Sequence, residues 1–127
     1  MKQPISFFDE ENQPQDKEDV RLKQLGLFVY EDGRRVAVGF NITPFRQRPS
    51  LEVTATNERG EPAGSLTVIE ALSPNFNLTM HLRDQEPTAR YRFHVLLYYG
   101  AAGEERQEMD SKEAVIDVTE PGEHIIE

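Results

Sequence analysis

Residues 91–99, Tyr-Arg-Phe-His-Val-Leu-Leu-Tyr-Tyr, carry a large apolar or aromatic side chain at every odd position. A period of two puts Tyr91, Phe93, Val95, Leu97 and Tyr99 on one face of an extended strand. Arg92 and His94 fall on the other face. Five bulky residues in register need a dry layer on one side, which is the situation of a central strand in a two-layer β protein.

The same alternation recurs along the chain, with turn chemistry between the repeats. Leu25, Leu27 and Val29 lead into Glu31-Asp32-Gly33, where Asp-Gly suits a tight hairpin. Val36, Val38, Phe40 and Ile42 return on one face. A corner follows from Thr43 to Pro49, bounded by two prolines that cannot donate to a central ladder. Leu51, Val53 and Ala55 mark a third strand, and Leu66, Val68 and Ile69 a fourth beyond the turn at 57–62. Phe76, Leu78, Met80 and Leu82 mark a fifth, broken by Asp84-Gln85-Glu86-Pro87 before the Tyr91 strand. Gly100 and Gly103 frame the next turn. A last strand runs from about Gln107 to Val118, with a bulge expected near Asp110-Ser111-Lys112. No helical period competes with this pattern. The expectation is an all-β fold, a single antiparallel β-sandwich of about seven strands spanning residues 20–118. Roughly 25 side chains would face inward, each worth about 1.5–3 kcal/mol when fully buried.

The length of 127 residues suits one such domain. Its formal charge of −9 sits mainly at the ends. Residues 1–19 hold Asp9, Glu10, Glu11, Asp16, Glu18 and Asp19 with few apolar groups, and are expected to form a flexible acidic N-terminal arm. Within it, Phe7 and Phe8 are either a short docking motif or part of an untethered leader. Residues 119–127, with Glu120, Glu123 and Glu127, read as an acidic C-terminal tail. An acidic chain repels phosphate backbones, and the best basic cluster, Arg34, Arg35, Arg46 and Arg48, reads as a solvated rim; no nucleic-acid partner is expected. The absence of cysteine excludes disulfides and thiol chemistry. Without a signal-like apolar segment, and with Val95–Tyr99 as the longest apolar run, no membrane partner is expected, and a cytoplasmic location is the default expectation for a full-length product. The glycosylation patterns at Asn41 and Asn77 are then chance matches.

At Thr88-Ala89-Arg90-Tyr91-Arg92-Phe93 the chain resembles the start of the sixth strand in immunoglobulin-like and fibronectin type III-like domains. The resemblance implies a tyrosine corner, with the Tyr91 hydroxyl bonded back to the preceding loop. It puts Phe93 where antibody domains carry a disulfide cysteine, and makes the strand of Val38 and Phe40 the second. The chain has no tryptophan to pin the third strand, so Phe40, Phe76 or Phe93 must fill that volume. An architecture that hosts many functions implies none of them.

No chemistry-bearing constellation stands out. Ser6, Ser50, Ser65, Ser73 and Ser111 lack a nucleophile elbow. By the resemblance, His81 and His94 lie on the outer faces of different sheets, and His124 lies in the tail. No metal-ligand spacing joins them. The loop acids Asp84, Glu86, Glu104, Glu105 and Asp110 do not form a calcium-loop pattern. Neither a cofactor nor catalysis is expected. One surface does suggest a role. Arg92, His94, Leu96 and Tyr98 point outward from the Tyr91 strand, and Phe28 and Tyr30 point away from Leu27 and Val29. Aromatic and apolar groups beside arginines have the composition of a protein-interaction patch. The expected function is a non-catalytic interaction module that binds a protein partner or a second copy of itself. The alternative is a carbohydrate- or small-ligand-binding domain using loops near Phe45, Arg46, Arg48, Tyr99 and Arg106.

Overall fold

The computed structural model describes residues 13–101 and 103–127. Among them are eight strands: β1 (Leu22–Val29), β2 (Arg35–Ile42), β3 (Ser50–Thr56), β4 (Pro62–Val68), β5 (Asn75–His81), β6 (Arg90–Tyr99), β7 (Gln107–Asp117) and β8 (Gly122–Ile126). They form two four-stranded sheets, ordered β5-β2-β1-β8 and β4-β3-β6-β7. Every strand pairing is antiparallel. The chain is an all-β sandwich.

The alternation of β6 does what its period requires. Tyr91, Phe93, Val95, Leu97 and Tyr99 are all buried, and β6 is an inner strand between β3 and β7. Tyr91, Phe93, Val95 and Leu97 join Leu25, Leu27, Val29, Val36, Val38 and Phe40 of the opposing layer in one apolar core. Phe40 and Phe76 lie against each other with ring centroids 4.8 Å apart, and Phe93 is fully buried. Phenylalanines thus occupy the interior of a sandwich that has no tryptophan.

The strand count is eight rather than about seven. The additional strand is β8, formed by residues within the expected tail, which pairs with β1 from Leu25 opposite Ile126 to Val29 opposite Gly122. Of the expected arm, residues 1–12, including Phe7 and Phe8, lie outside the described residues. Residues 13–19 run beside the proline corner, where the Gln15 N–H donates to the Pro44 carbonyl at 2.8 Å. A single 3-10 turn, Lys17–Asp19, then leads to the buried Val20.

Local details follow the residue chemistry. The β1–β2 turn closes with Gly33 at φ 65°, a left-handed conformation that glycine adopts without steric cost. Asp32 Oδ1 accepts the Arg34 and Arg35 N–H groups at 2.9 and 3.2 Å. The bulge of β7 falls at Met109, because Asp110 opposes Leu97 while Glu108 opposes Tyr98. This is one residue before the expected stall. It leaves Asp110 Oδ2 accepting the Leu22 N–H at 2.9 Å, which ties β7 to β1. At the opposite side of the sandwich, β4 and β5 approach closely. A Cβ on Gly64 would lie 2.9 Å from the His81 carbonyl oxygen, so only glycine fits there without a shift. The Arg83 N–H donates to the Ala63 carbonyl at 2.8 Å and joins the two layers at that point.

Candidate functional site

The six residues expected to form one patch lie on two faces. Phe28 and Tyr30 sit on the outside of the β5-β2-β1-β8 sheet, packed edge-to-face with ring centroids 5.3 Å apart. The Arg35 guanidinium lies 4.4 Å from the Tyr30 ring centre. Arg92, His94, Leu96 and Tyr98 belong to β6 in the other sheet. The outer faces of a two-layer sandwich point in opposite directions, so no single partner surface of ordinary size spans both. Arg92 is paired with Glu113 at 2.7 Å, and His94 and Leu96 are half-buried.

Tyr98 corrects the sequence reading most sharply. Parity places it on the outer face, yet only 4% of it is exposed. Arg106 folds back with its guanidinium 4.2 Å from the ring centre, held there by two bonds to Glu52 at 3.1 and 3.2 Å. The cover comes from beyond the next turn, which strand periodicity does not register.

The alternative loop site forms a cleft of about 570 Å³ lined by Gln47, Arg48, Ser50, Glu70, Tyr98 and Arg106, among others. Its groups are largely engaged. Arg46 pairs with Asp16, Phe45 packs on the core, and Arg106 belongs to Glu52. The buried Tyr99 hydroxyl donates to the Gln47 carbonyl at 2.8 Å. Burial, aided by the negative charge of Glu18, pushes its pKa up from 10.0 to about 12. A raised acid pKa means that this contribution to stability is intact below pH 10 and is lost as pH rises toward 12. The wild type will therefore lose about 2 kcal/mol across that window relative to Tyr99→Phe, as read from denaturant midpoints at each pH.

A third cluster is polar and internal. The Tyr91 hydroxyl donates to Asp84, with oxygens at 3.0 and 2.9 Å, and accepts from the Thr88 N–H at 3.2 Å. Arg34 donates to both Tyr91 and Asp84 at 3.2 Å, and Asn57 Nδ2 reaches Asp84 at 3.1 Å. The Asp84 side chain is only 4% exposed. Burial works against its charge, but the hydrogen bonds from Asn57, Tyr91 and Arg34 outweigh that and hold the carboxyl below the ordinary 3.8. Arg34 is likewise desolvated, and its bonds to Tyr91 and Asp84 outweigh the penalty and raise its pKa. Among the described residues no buried side-chain nitrogen or oxygen lacks a partner. This network pins three loops to β6. Its acid and cation are each satisfied by the other and by Tyr91.

Among the described residues no group of three or more His, Cys, Asp or Glu side chains gathers. His81 and His94 are on β5 and β6, which lie in different sheets. Among the described residues no helix is long and apolar enough to cross a membrane.

The feature that sequence reasoning missed is the side of the sandwich where β4 and β5 are both edges. Between Pro62 and Leu82 the only charged residue is Glu70, in a chain that is 29% charged. The crossover joining the two edges exposes Ile69 at 68% and Leu72 at 85%. Leu78, in line with the inward face of β5, is 38% exposed because no strand covers it on that side. The charge gap is visible in the sequence; that both flanking strands are edges is not. The opposite side, formed by β7 and β8, carries Glu108, Asp110, Lys112, Glu113, Asp117 and Glu123.

No protein-family model matches the sequence, and neither does any curated protein. Solved structures do match in shape. A glycosyl hydrolase family 2 member from Bacteroides cellulosilyticus superposes with a TM-score of 0.52 at 12% identity, over 84% of this chain and 17% of that one. The β-glucuronidase from Ruminococcus gnavus gives a TM-score of 0.44 at 11% identity, over 79% of this chain and 16% of that one. The chain therefore spans about a sixth of the length of the solved chains it matches. What the first likeness shows is the fold, a two-sheet β-sandwich resembling a β-sandwich domain within a glycosyl hydrolase family 2 structure.

Proposed function

We propose that this chain is a non-catalytic protein-interaction module, docking another polypeptide along its charge-poor β4–β5 side. One observation carries the reading: two edge strands and their crossover leave Ile69, Leu72 and Leu78 exposed with a single charge between Pro62 and Leu82. Soluble β proteins ordinarily guard free edges with charge, proline or bulges. A side depleted of charge has the composition of a contact surface.

An immunoglobulin-like kinship is part of this proposal. It is supported by the tyrosine-corner bond between Tyr91 and Thr88 and by the division of β5 and β6 between sheets. A cytoplasmic setting accords with a cysteine-free chain. The non-catalytic reading is supported by the shifted groups Asp84 and Arg34, which are satisfied by internal partners. The carbohydrate alternative is weaker, because the Tyr98 ring at the loop cleft is covered by Arg106 and offers no open platform for a sugar.

The test is a charged double variant, Ile69→Glu with Leu72→Glu. Both side chains are exposed, so its melting temperature should stay within a few degrees of wild type. The wild-type chain, crosslinked in native extract, should join its partner through residues 62–82, and the variant should lose that partner. Crosslinks confined to the Phe28 face, or an unchanged partner set in the variant, would contradict the reading.

A further inference from the structure

We infer that the polypeptide received along this side is a second copy of the same chain, paired through β5 about a two-fold axis at Leu78. The inference rests on the interaction-module reading and specifies its partner.

The backbone sets the register. The Ile42 N–H donates to the Pro74 carbonyl, and the Leu82 N–H donates to the Arg34 carbonyl, both at 2.8 Å. Even-numbered positions around β5 thus turn their peptide groups toward the β1–β2 hairpin. Alternation turns those of Asn75, Asn77 and Thr79 outward. Asn75 is already served by Ser73, whose Oγ accepts its N–H at 3.2 Å and donates to its carbonyl at 3.1 Å. Asn77 and Thr79 present their N–H and C=O groups at the free edge, with no partner among the described residues.

A second β5, antiparallel and centred on Leu78, answers that pattern. Asn77 of each copy opposes Thr79 of the other, and each such pair exchanges two N–H···O=C bonds, four in all. Leu78 meets Leu78 on the inner side, Phe76 opposes Met80, and the outer face pairs the Asn77 amide with the Thr79 hydroxyl. No like charges face each other anywhere in this register. The result is one continuous eight-stranded sheet with a self-complementary interface.

Charge selects this edge among the four. Two chains of net charge −9 repel at long range and can approach most readily through a neutral side. β7 is guarded by alternating charges and the Met109 bulge, and β8 is short and bears Glu123. β4 opens on Pro62 and has Gly64 closed against the His81 carbonyl. β5 is fully regular against β2 and carries no charge, proline, glycine or bulge.

Sedimentation equilibrium on the full chain tests this over low-micromolar to submillimolar concentrations. Wild type should sediment at twice the monomer mass at the upper end. Thr79→Pro removes an outward N–H, a change that edge strands tolerate. Leu78→Lys sets like charges opposite each other on the axis and should weaken the dimer on the order of 100-fold or more. Both variants should remain folded by circular dichroism and sediment as monomers. A wild-type monomer throughout the range would overturn the pairing, as would folded variants with an unchanged dimerisation constant. If wild type is monomeric yet Ile69→Glu with Leu72→Glu still abolishes a crosslinked partner, only the self-pairing fails and the proposed function stands.

Discussion

Phe93→Ala will cost about 4 kcal/mol of stability, the largest loss expected from one core side chain, and will shift the denaturant midpoint accordingly. Phe93 is fully buried at the centre of β6, opposite Ala55 on β3 and Ala114 on β7. Two small neighbours leave the ring to fill the gap toward the other sheet, and neither can grow to close the cavity. The companion variant Arg92→Ala, one residue away, should change stability by less than about 1 kcal/mol, because its pair with Glu113 is exposed. A contrast of this size between adjacent residues is the energetic form of the two-residue period. Comparable losses at both positions would contradict it.

Asp84→Ala should cost about 3 kcal/mol, near the lower end for breaking a buried ion pair, since Arg34 retains some access to water. The substitution leaves the Tyr91 hydroxyl and Asn57 amide without their shared acceptor. Asp84→Asn keeps the shape and loses less. The same carboxyl gives an acid signature. Its pKa is lowered in the folded chain, so its contribution is present above the ordinary 3.8 and is lost as pH falls through the folded value. The stability gap between wild type and Asp84→Asn should therefore narrow below about pH 4. A constant gap down to pH 2 would show that the Asp84 charge contributes nothing.

These two variants also separate what the sequence makes legible from what it does not. The parity of residues 91–99 is local, and five odd-numbered side chains are buried as that parity requires. The bond from Tyr91 to Thr88 could be anticipated because its partners are three residues apart. The Arg34–Asp84 pair joins residues fifty positions apart, and the order of strands alone brings them together. Arg34 thus read as a rim charge and Asp84 as a loop acid.

The expected binding face divides between two sheets for a related reason. Periodicity says which residues of a strand point outward, but not which strands share a sheet. Phe28 and Leu96 both point outward, and they do so on opposite layers. The eighth strand was hidden by Glu123 and Glu127, whose acidity outweighs two isoleucines in so short a segment. Leu78 looked like a core residue because edge position cannot be read from alternation. Once β5 is known to be an edge, its neutrality becomes the most informative property of the chain.

Residue-resolved amide exchange on the full chain, followed by NMR at rising concentration, tests the role of that edge most directly. The N–H groups of Asn77 and Thr79 should exchange rapidly in dilute solution and become protected as copies associate, while Leu78 and Met80 stay slow throughout. Rapid exchange at Asn77 and Thr79 at every concentration would contradict the pairing of β5 with another chain.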